Sequence, residues 1–532
     1  MKKSLTRNAD RRGFVLLVVL VTVLLVSLSA YTFSLLMVQE QRATQLIGRQ
    51  TQSRYLVESG VDFVRLFLSV DDATIGELGG LWNNPDVFQN RIVSMDPNNE
   101  SHIGRFSILT SSMDREGNPE GFRYGLTDES SKLNLNTLVH ADSWLPDTGQ
   151  GGGGRLLLMA LPLMTEDVAD AILDWLDTDS DPRDFGVENY SDQTPPYQIK
   201  NGPLDSIEEL LQVRGVTPQL LFGLDTNHNG IVDLDEQFEN DNNPLAADPS
   251  MQLGWANYLT LFSKESNLTG SGQVRVNINS SNLETLFEDL RTELNEEWTT
   301  FIVAYRINGP FDGDEEAPEE QPSFVPLELQ GDEQASATFN NVLDLIDART
   351  TLAFTPNGSD EELEAIIDSP ITMDNLNETL PILLSFVSTI DGDNIPGRVN
   401  IMQASRTILA GIPGMTDQIL EQIISRRNAG GDEPQTVLSG SRQFETWLLT
   451  DRIVDLETMQ LMFPFVCVGG DVFKAEVVGF FDDSVATSRA EVILDQTVPT
   501  VPRILFWRDK SHLPSGFTIE TLMSELQTFR DN

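Results

Sequence analysis

The stretch Asp10–Arg42, DRRGFVLLVVLVTVLLVSLSAYTFSLLMVQEQR, decides how the chain is read. Between Phe14 and Val38 it holds 25 residues without a charge, and Lys2, Lys3, Arg7, Arg11 and Arg12 stand before them. An uncharged run of that length crosses a bilayer as a helix, with its basic flank kept on the cytoplasmic side. A secretory signal has a shorter apolar core with a small-residue cleavage site after it. Here the core continues into a helix-like segment, QEQRATQLIGRQTQSRYLVESGVDFVRLFL (Gln39–Leu68), and the small residue, Gly13, precedes the apolar run.

Most of the 532 residues follow that run, enough for about two to four domains with substantial cores. Asp and Glu number 82 against 35 Lys and Arg, a net charge of -47, so nucleic acid and anionic lipid are repelled by most of this surface and calcium is the more natural partner. The single cysteine, Cys467, lies in the apolar run FPFVCVGGDVF and reads as a buried small hydrophobe. His102, His140, His228 and His512 have no arrangement suggesting a zinc or nucleophile site, and carboxylate pairs carry no diagnostic weight in so acidic a chain. The expectation is a protein that is not an enzyme.

GRFSILTSS and GFRYGLTDESSKLNLNTL read as an antiparallel hairpin. An irregular repeat follows: KLNLNTL (Lys132–Leu138), RVNINSSNLETL (Arg275–Leu286) and RVNIMQASRTIL (Arg398–Leu409) share a basic residue, an apolar residue, Asn and a second apolar residue. The Asn can close an Asx turn or cap the next helix. Helix-like phrases come after each copy, TEDVADAILDWLD, NEEWTTFIVAYRINGPF and TDQILEQIISRRNAGG, the last with Ile419, Leu420, Ile423 and Ile424 at helical spacing. LAGIPGMTDQILEQIISRR looks like a helix-hairpin-helix, and IEELLQVRGVTPQLL holds a similar turn. Beyond Arg426 and Arg427 the surroundings are acidic, which argues against DNA and for protein contacts.

The most specific local chemistry is DTNHNGIVDLDE. Asp225, Asn227, Asn229, Asp233 and Glu236 place oxygen donors at the first, third, fifth, ninth and twelfth positions, Gly230 stands at the sixth, and Ile231 offers its carbonyl at the seventh. An EF-hand-type loop wraps Ca²⁺ with that spacing, and two asparagines among the ligands lower its charge and its affinity. A second tract, DWLDTDSDPRDFGVENY, brings together Asp174, Asp177, Asp179, Asp181, Asp184 and Glu188; it reads equally as a solvated acidic loop and as a metal site held by Asp177, Asp179, Asp181 and Glu188.

Gly13, then Phe14, then an uninterrupted apolar helix resembles the processing site of type IV pilin-like proteins, which a prepilin peptidase cuts after the glycine. Most such proteins carry a glutamate at the fifth mature position; here it is Val18. Together with LTDESSKLNLNTL, the block DAILDWLDTDSDPRDFGVENY to PPYQIKNGPLDSIEELLQVRGV, the two RVNI copies and PFVCVGGDVFKAEVVGFF, this resembles the general secretion pathway protein K family, the large minor pseudopilins of type II secretion systems.

The resemblance implies an α+β fold, a pilin-like long N-terminal helix on a small antiparallel sheet with a large inserted helical domain of helix-hairpin-helix-like repeats. It implies calcium in that domain, a single-pass inner-membrane anchor with a periplasmic bulk, and assembly with other minor pseudopilins and the major pseudopilin at a pseudopilus tip. Without the glutamate, such a subunit is suited to being the first one in.

The expected order is a leader, 1–13; the apolar helix, 14–38; helix continuation and first strands, 39–135; a helical domain with calcium-binding loops, 136–270; a second repeat, 271–310; an acidic linker, 311–340; a variable segment, 341–397; a helix-hairpin-helix-like third repeat, 398–460; and C-terminal strands, 461–532. GQGGGG (Gly149–Gly154) reads as a flexible linker. The competing expectation is a membrane-anchored calcium-binding adaptor or surface module that never enters a filament and keeps its leader.

Overall fold

The computed structural model describes residues 12–95, 103–114, 118–145, 152–193, 195–233, 235–236, 248–311, 313, 327, 329, 333–354, 363–427, 443–482, 486–498, 501–513 and 516–523. Most of the expected acidic linker lies outside them.

One helix, α1, runs unbroken from Arg12 to Leu68. At 1.5 Å per residue it is roughly 85 Å long. Its apolar first half projects free of the rest of the chain, and its second half turns amphipathic. Val57, Val61, Val64 and Leu68, spaced four, three and four apart, fall on one face and are buried against a sheet.

That sheet is antiparallel. Its strands are β1 (Arg91–Ser94), β2 (Gly104–Met113), β3 (Pro119–Arg123), β4 (Thr127–Asp128), β5 (Val472–Phe481), β6 (Thr487–Asp495) and β7 (Arg503–Asp509). The order is β1-β2-β5-β6-β7, with β3 also paired to β2 and β4 to β5. The expected hairpin is thus β2 with β3, while the central pairing, Val477 opposite Ile108, joins segments from the two ends of the chain. Phe106, Ile108, Val477, Phe480 and Val492 close the core beneath α1. Gln50 Nε2 donates to Thr487 O at 3.1 Å and Arg65 Nε to Pro502 O at 3.1 Å, fixing the helix along β6 and β7.

Between β4 and β5 the chain leaves the sheet to build a second, larger core that buries Trp175, Trp255 and Trp447 completely. The three repeat copies organise it. Leu133–Asn134 pairs in parallel with Leu259–Thr260, Val276–Asn277 with Val387–Ser388, and Val399–Asn400 with Val466–Cys467. In every copy the Asn accepts from the amide two residues on: Asn134 from Asn136 at 3.0 Å, Asn277 from Asn279 at 2.8 Å, Asn400 from Met402 at 2.8 Å. These are the Asx turns that the sequence pattern called for. Cys467 is buried in the last of these pairs, where burial pushes its thiol well above the ordinary range.

The expected helices are present at Glu166–Leu176, Glu296–Asn308 and Asp417–Arg427. In the last, Leu420 and Ile423 are buried, with Ile419 and Ile424 packed beside them. IEELLQVRGVTPQLL departs from a helical pair: Ile207–Gln212 is a 3-10 turn, followed by one short helix at Pro218–Phe222. The glycine run departs too. Gly152–Gly154 open a helix, Gly152–Leu158, and are buried, because residues without a side chain let its backbone reach Ala141 and Asp142.

Candidate functional site

The apolar run is the most exposed hydrophobic surface of the molecule. Phe14 is 72% and Val18 43% exposed, both in the opening turns of α1. The most hydrophobic 18-residue window of α1 has a mean hydropathy of 2.7 and buries nothing against the protein. Water would meet this surface at a cost of tens of kilocalories per mole at ~25 cal/mol per Å². A bilayer or a sheath of apolar helices removes that cost.

The acidic tract folds around the end of the helix Glu166–Leu176. Asp170, Asp174 and Asp177 follow at four and three residues and so share one face. Asp170 is neutralised by Arg155, whose Nε lies 2.6 Å from Oδ1. Asp174 is paired less closely: it is fully buried, takes the Arg183 amide at 3.2 Å, and sits 3.7 Å from Arg183 Nε. Gly186 lets the loop close over it, since a Cβ there would stand 1.9 Å from Asp174 Oδ2. An edge-on contact of Trp175 and Tyr190 at 5.5 Å, and stacking of Tyr190 on Tyr197 at 5.1 Å, hold the remainder.

Ligand oxygens of Asp177, Asp179 and Glu188 lie within 4.8 Å of one another. Asp181 does not join them; it is exposed, and its amide caps Asp179 Oδ1 at 2.9 Å. In its place the structure brings Asp174 and Asn201. Asp174 Oδ2, Asp177 Oδ1, Glu188 Oε1 and Asn201 Oδ1 are all buried without a hydrogen-bond partner. Burial, then neighbouring carboxylates, push Asp177 up to about 6, and burial also raises Asp174 and Glu188. Four orphaned oxygens in one acidic pocket fit a hard cation with oxygen ligands.

The Asp225–Glu236 loop is ordered by its own carboxylates. Asp225 takes the amides of Asn229 and Gly230 at 3.0 and 2.8 Å, and Glu236 those of Thr226, Asn227 and Asp233 at 2.8, 3.1 and 3.0 Å. The side-chain amides of Asn227 and Asn229 both turn onto Asp233 Oδ2, at 2.7 and 3.1 Å. Asn227 is 6% exposed, and its Oδ1 is buried with no hydrogen-bond partner. Burial lifts Asp225 to about 6. The side chains at five ligand positions therefore converge within one turn of chain, and Ile231 follows Gly230, whose φ of 77° makes the sharp bend.

Residues 131–225 match the family model described as type II secretion system (T2SS), protein K. That span begins with the first repeat copy, contains the whole acidic pocket from Asp174 to Asn201, and ends on Asp225. Among solved structures the chain is similar to one from the GspK-GspI-GspJ complex of the enterotoxigenic Escherichia coli type 2 secretion system, at 11% identity and a TM-score of 0.35, covering 88% of this chain and 98% of that one. No curated protein was found to match the chain.

Proposed function

We propose that this chain, which carries a type II secretion system protein K segment at residues 131–225, is a minor pseudopilin that works with other minor pseudopilins to start or cap a pseudopilus. The family match carries the proposal. Two physical features support it: an apolar helix continuous with the amphipathic helix of a pilin-like core, and a head far wider than that helix. Phe14–Val38 holds the subunit in the inner membrane with the bulk on the periplasmic side, and packs against other apolar helices once extracted. Gly13–Phe14 is the peptidase site. Val18 leaves the helix without a carboxylate for an earlier subunit's terminal amine, which suits the first position in the filament. The role is structural, not enzymatic.

Calcium belongs to the same reading. Asp174, Asp177, Asp179, Glu188 and Asn201 would hold the ion, and its charge would neutralise carboxylates that Arg183 alone leaves uncompensated. The tract 177–202 would then be fixed as a rigid part of the head.

The test is the mass of the N-terminal peptide after expression with a prepilin peptidase, and again without it. A peptidase-dependent terminus at Phe14 is expected. An intact leader in both samples overturns the pseudopilin reading in favour of an anchored calcium-binding module.

A further inference from the structure

The loop at 225–236 begins where the family match ends, yet it touches the pilin-like half of the molecule. Ile231 packs on the core between α1 and the sheet. Gly230 lies against β2, where an added Cβ would stand 3.2 Å from Ser111 Cβ. Asn229 Nδ2 donates to Gly516 O at 2.6 Å. Two cations of the sheet grip the loop's backbone: Lys510 Nζ donates to His228 O at 2.8 Å, and Arg489 donates to Asn227 O. Those cations are 3% and 4% exposed. They are neutralised from the other side, Arg489 by Glu476 at 3.0 Å and Lys510 by Glu476 at 3.0 Å and Glu491 at 2.8 Å. They therefore hold the loop by its carbonyls and leave its carboxylates to a ligand.

We propose that Asp225, Asn227, Asn229, Asp233 and Glu236, with the Ile231 carbonyl, bind a calcium ion, and that the filled loop is a clasp fastening the inserted domain to the pilin-like sheet. The buried, unpartnered Asn227 Oδ1, on an amide already turned onto Asp233, is the observation that points to a ligand within the loop. Six or seven oxygens from a flexible loop with a terminal glutamate suit Ca²⁺, whereas Mg²⁺ demands a tight octahedron and keeps its water. With the ion bound, the carbonyls of Asn227 and His228 are presented to Arg489 and Lys510 on a fixed backbone. Without it, the like charges of Asp225, Asp233 and Glu236 loosen the turn, and with it the grip. The proposal does not depend on the assembly role, nor on an ion in the acidic pocket.

The experiment uses the full chain in detergent, with calcium binding counted at equilibrium and hydrogen exchange followed by mass spectrometry. At calcium about 100-fold above the dissociation constant, opening of the loop is suppressed about 100-fold, so amides in 225–233 and in 508–511 exchange slower by that factor. Magnesium gives no such protection. Asp233→Asn binds one calcium fewer and loses the protection in both segments, whereas Asp177→Asn keeps it. An unchanged calcium count in Asp233→Asn, or protection by magnesium equal to that by calcium, overturns the site. Protection confined to 225–233 overturns the clasp. Should Asp233→Asn disturb β5 as well, Asn227→Asp decides, because added ligand charge must tighten calcium binding; unchanged affinity overturns the site.

Discussion

Asp471 stands at the entrance to β5, against a cavity of about 580 Å³ between the two cores. Its Oδ2 takes the Ser266 amide at 2.6 Å, and Glu265, Asp128 and Asp72 face it, with the cations Arg275 and Arg398 in the same cavity. Burial, relieved in part by that amide, lifts its carboxyl to about 7. A folded value above the unfolded value of about 3.9 means that the folded state binds the proton more tightly. The contribution is thus greatest at low pH and is lost as pH rises from about 4 through about 7, with no further change above. Asp471→Asn removes that slope: in urea titrations across this range the wild type loses stability relative to the variant, and parallel curves would refute the assignment. At the acidic pocket, Asp177→Asn should remove that site's share of the stabilisation that calcium gives the wild type, about 2.7 kcal/mol at 100-fold excess over the dissociation constant, and leave the share of the 225–236 loop, as read by urea unfolding with and without calcium. The two proposed cation loops differed in how far sequence revealed them. The oxygen donors at 225–236 fall within twelve residues and so show as a spacing. Asn201, at φ 47° in an Asn-Gly turn, enters its pocket only through the path of the Pro-rich loop, and Asp181, with the right chemistry, gives its backbone amide to an Asx turn on Asp179 and leaves its side chain exposed.

At the scale of elements, the recurring Asn residues were legible because an Asx turn is local, and each one formed. Their partners were not. Leu259–Thr260, Val387–Ser388 and Val466–Cys467 are two-residue parallel pairs made across long separations, and no periodicity announces so short a strand. The copies nevertheless differ in what they hold up. Asn400 is 1% exposed and donates to Asp128 Oδ2 at 2.8 Å, tying the third repeat to β4, whereas Asn277 is partly exposed and reaches Asp391. Asn400→Ala strips a buried carboxylate of a donor and should cost about 1–3 kcal/mol, with Gly470 N as the remaining contact to that oxygen. Asn277→Ala, whose partner is solvated, should cost about 1 kcal/mol or less. Chemical denaturation of both variants measures the difference, and equal losses would mean that the repeats are held by packing alone. The glycine run at 152–154 shows the converse: a composition typical of linkers was used for close approach of a helix.

Across the whole molecule, acidic residues far outnumber basic ones, and several of the scarce cations are committed to internal pairs. Lys474 with Glu491, Lys264 with Asp495, and Arg508 with Glu208 line the seam between sheet and inserted domain, at 2.9, 2.8 and 2.7 Å. Burial opposes the charge on Glu491, but Lys474 and Lys510 outweigh it and hold the carboxyl well below the ordinary range. Net charge of -47 announced the acidic exterior, but nothing in a linear chain revealed which cations were committed to the seam. The division of labour along α1 was plainer, since the change from an uncharged run to a four-three spacing of Val57, Val61, Val64 and Leu68 is written in order. That division makes a sharp prediction. Phe14–Val38 buries nothing against the protein, and the helix meets the sheet only beyond it, with Gln50 and Ser53 bonding to β6. A chain begun at Gln39 should therefore fold in water without detergent, and its urea unfolding should match that of the full chain to within ~0.5 kcal/mol, as for changes remote from any packed contact. A larger loss would show that the apolar half of α1 supports the head directly, and that extraction from a bilayer and stability of the head are coupled rather than separate.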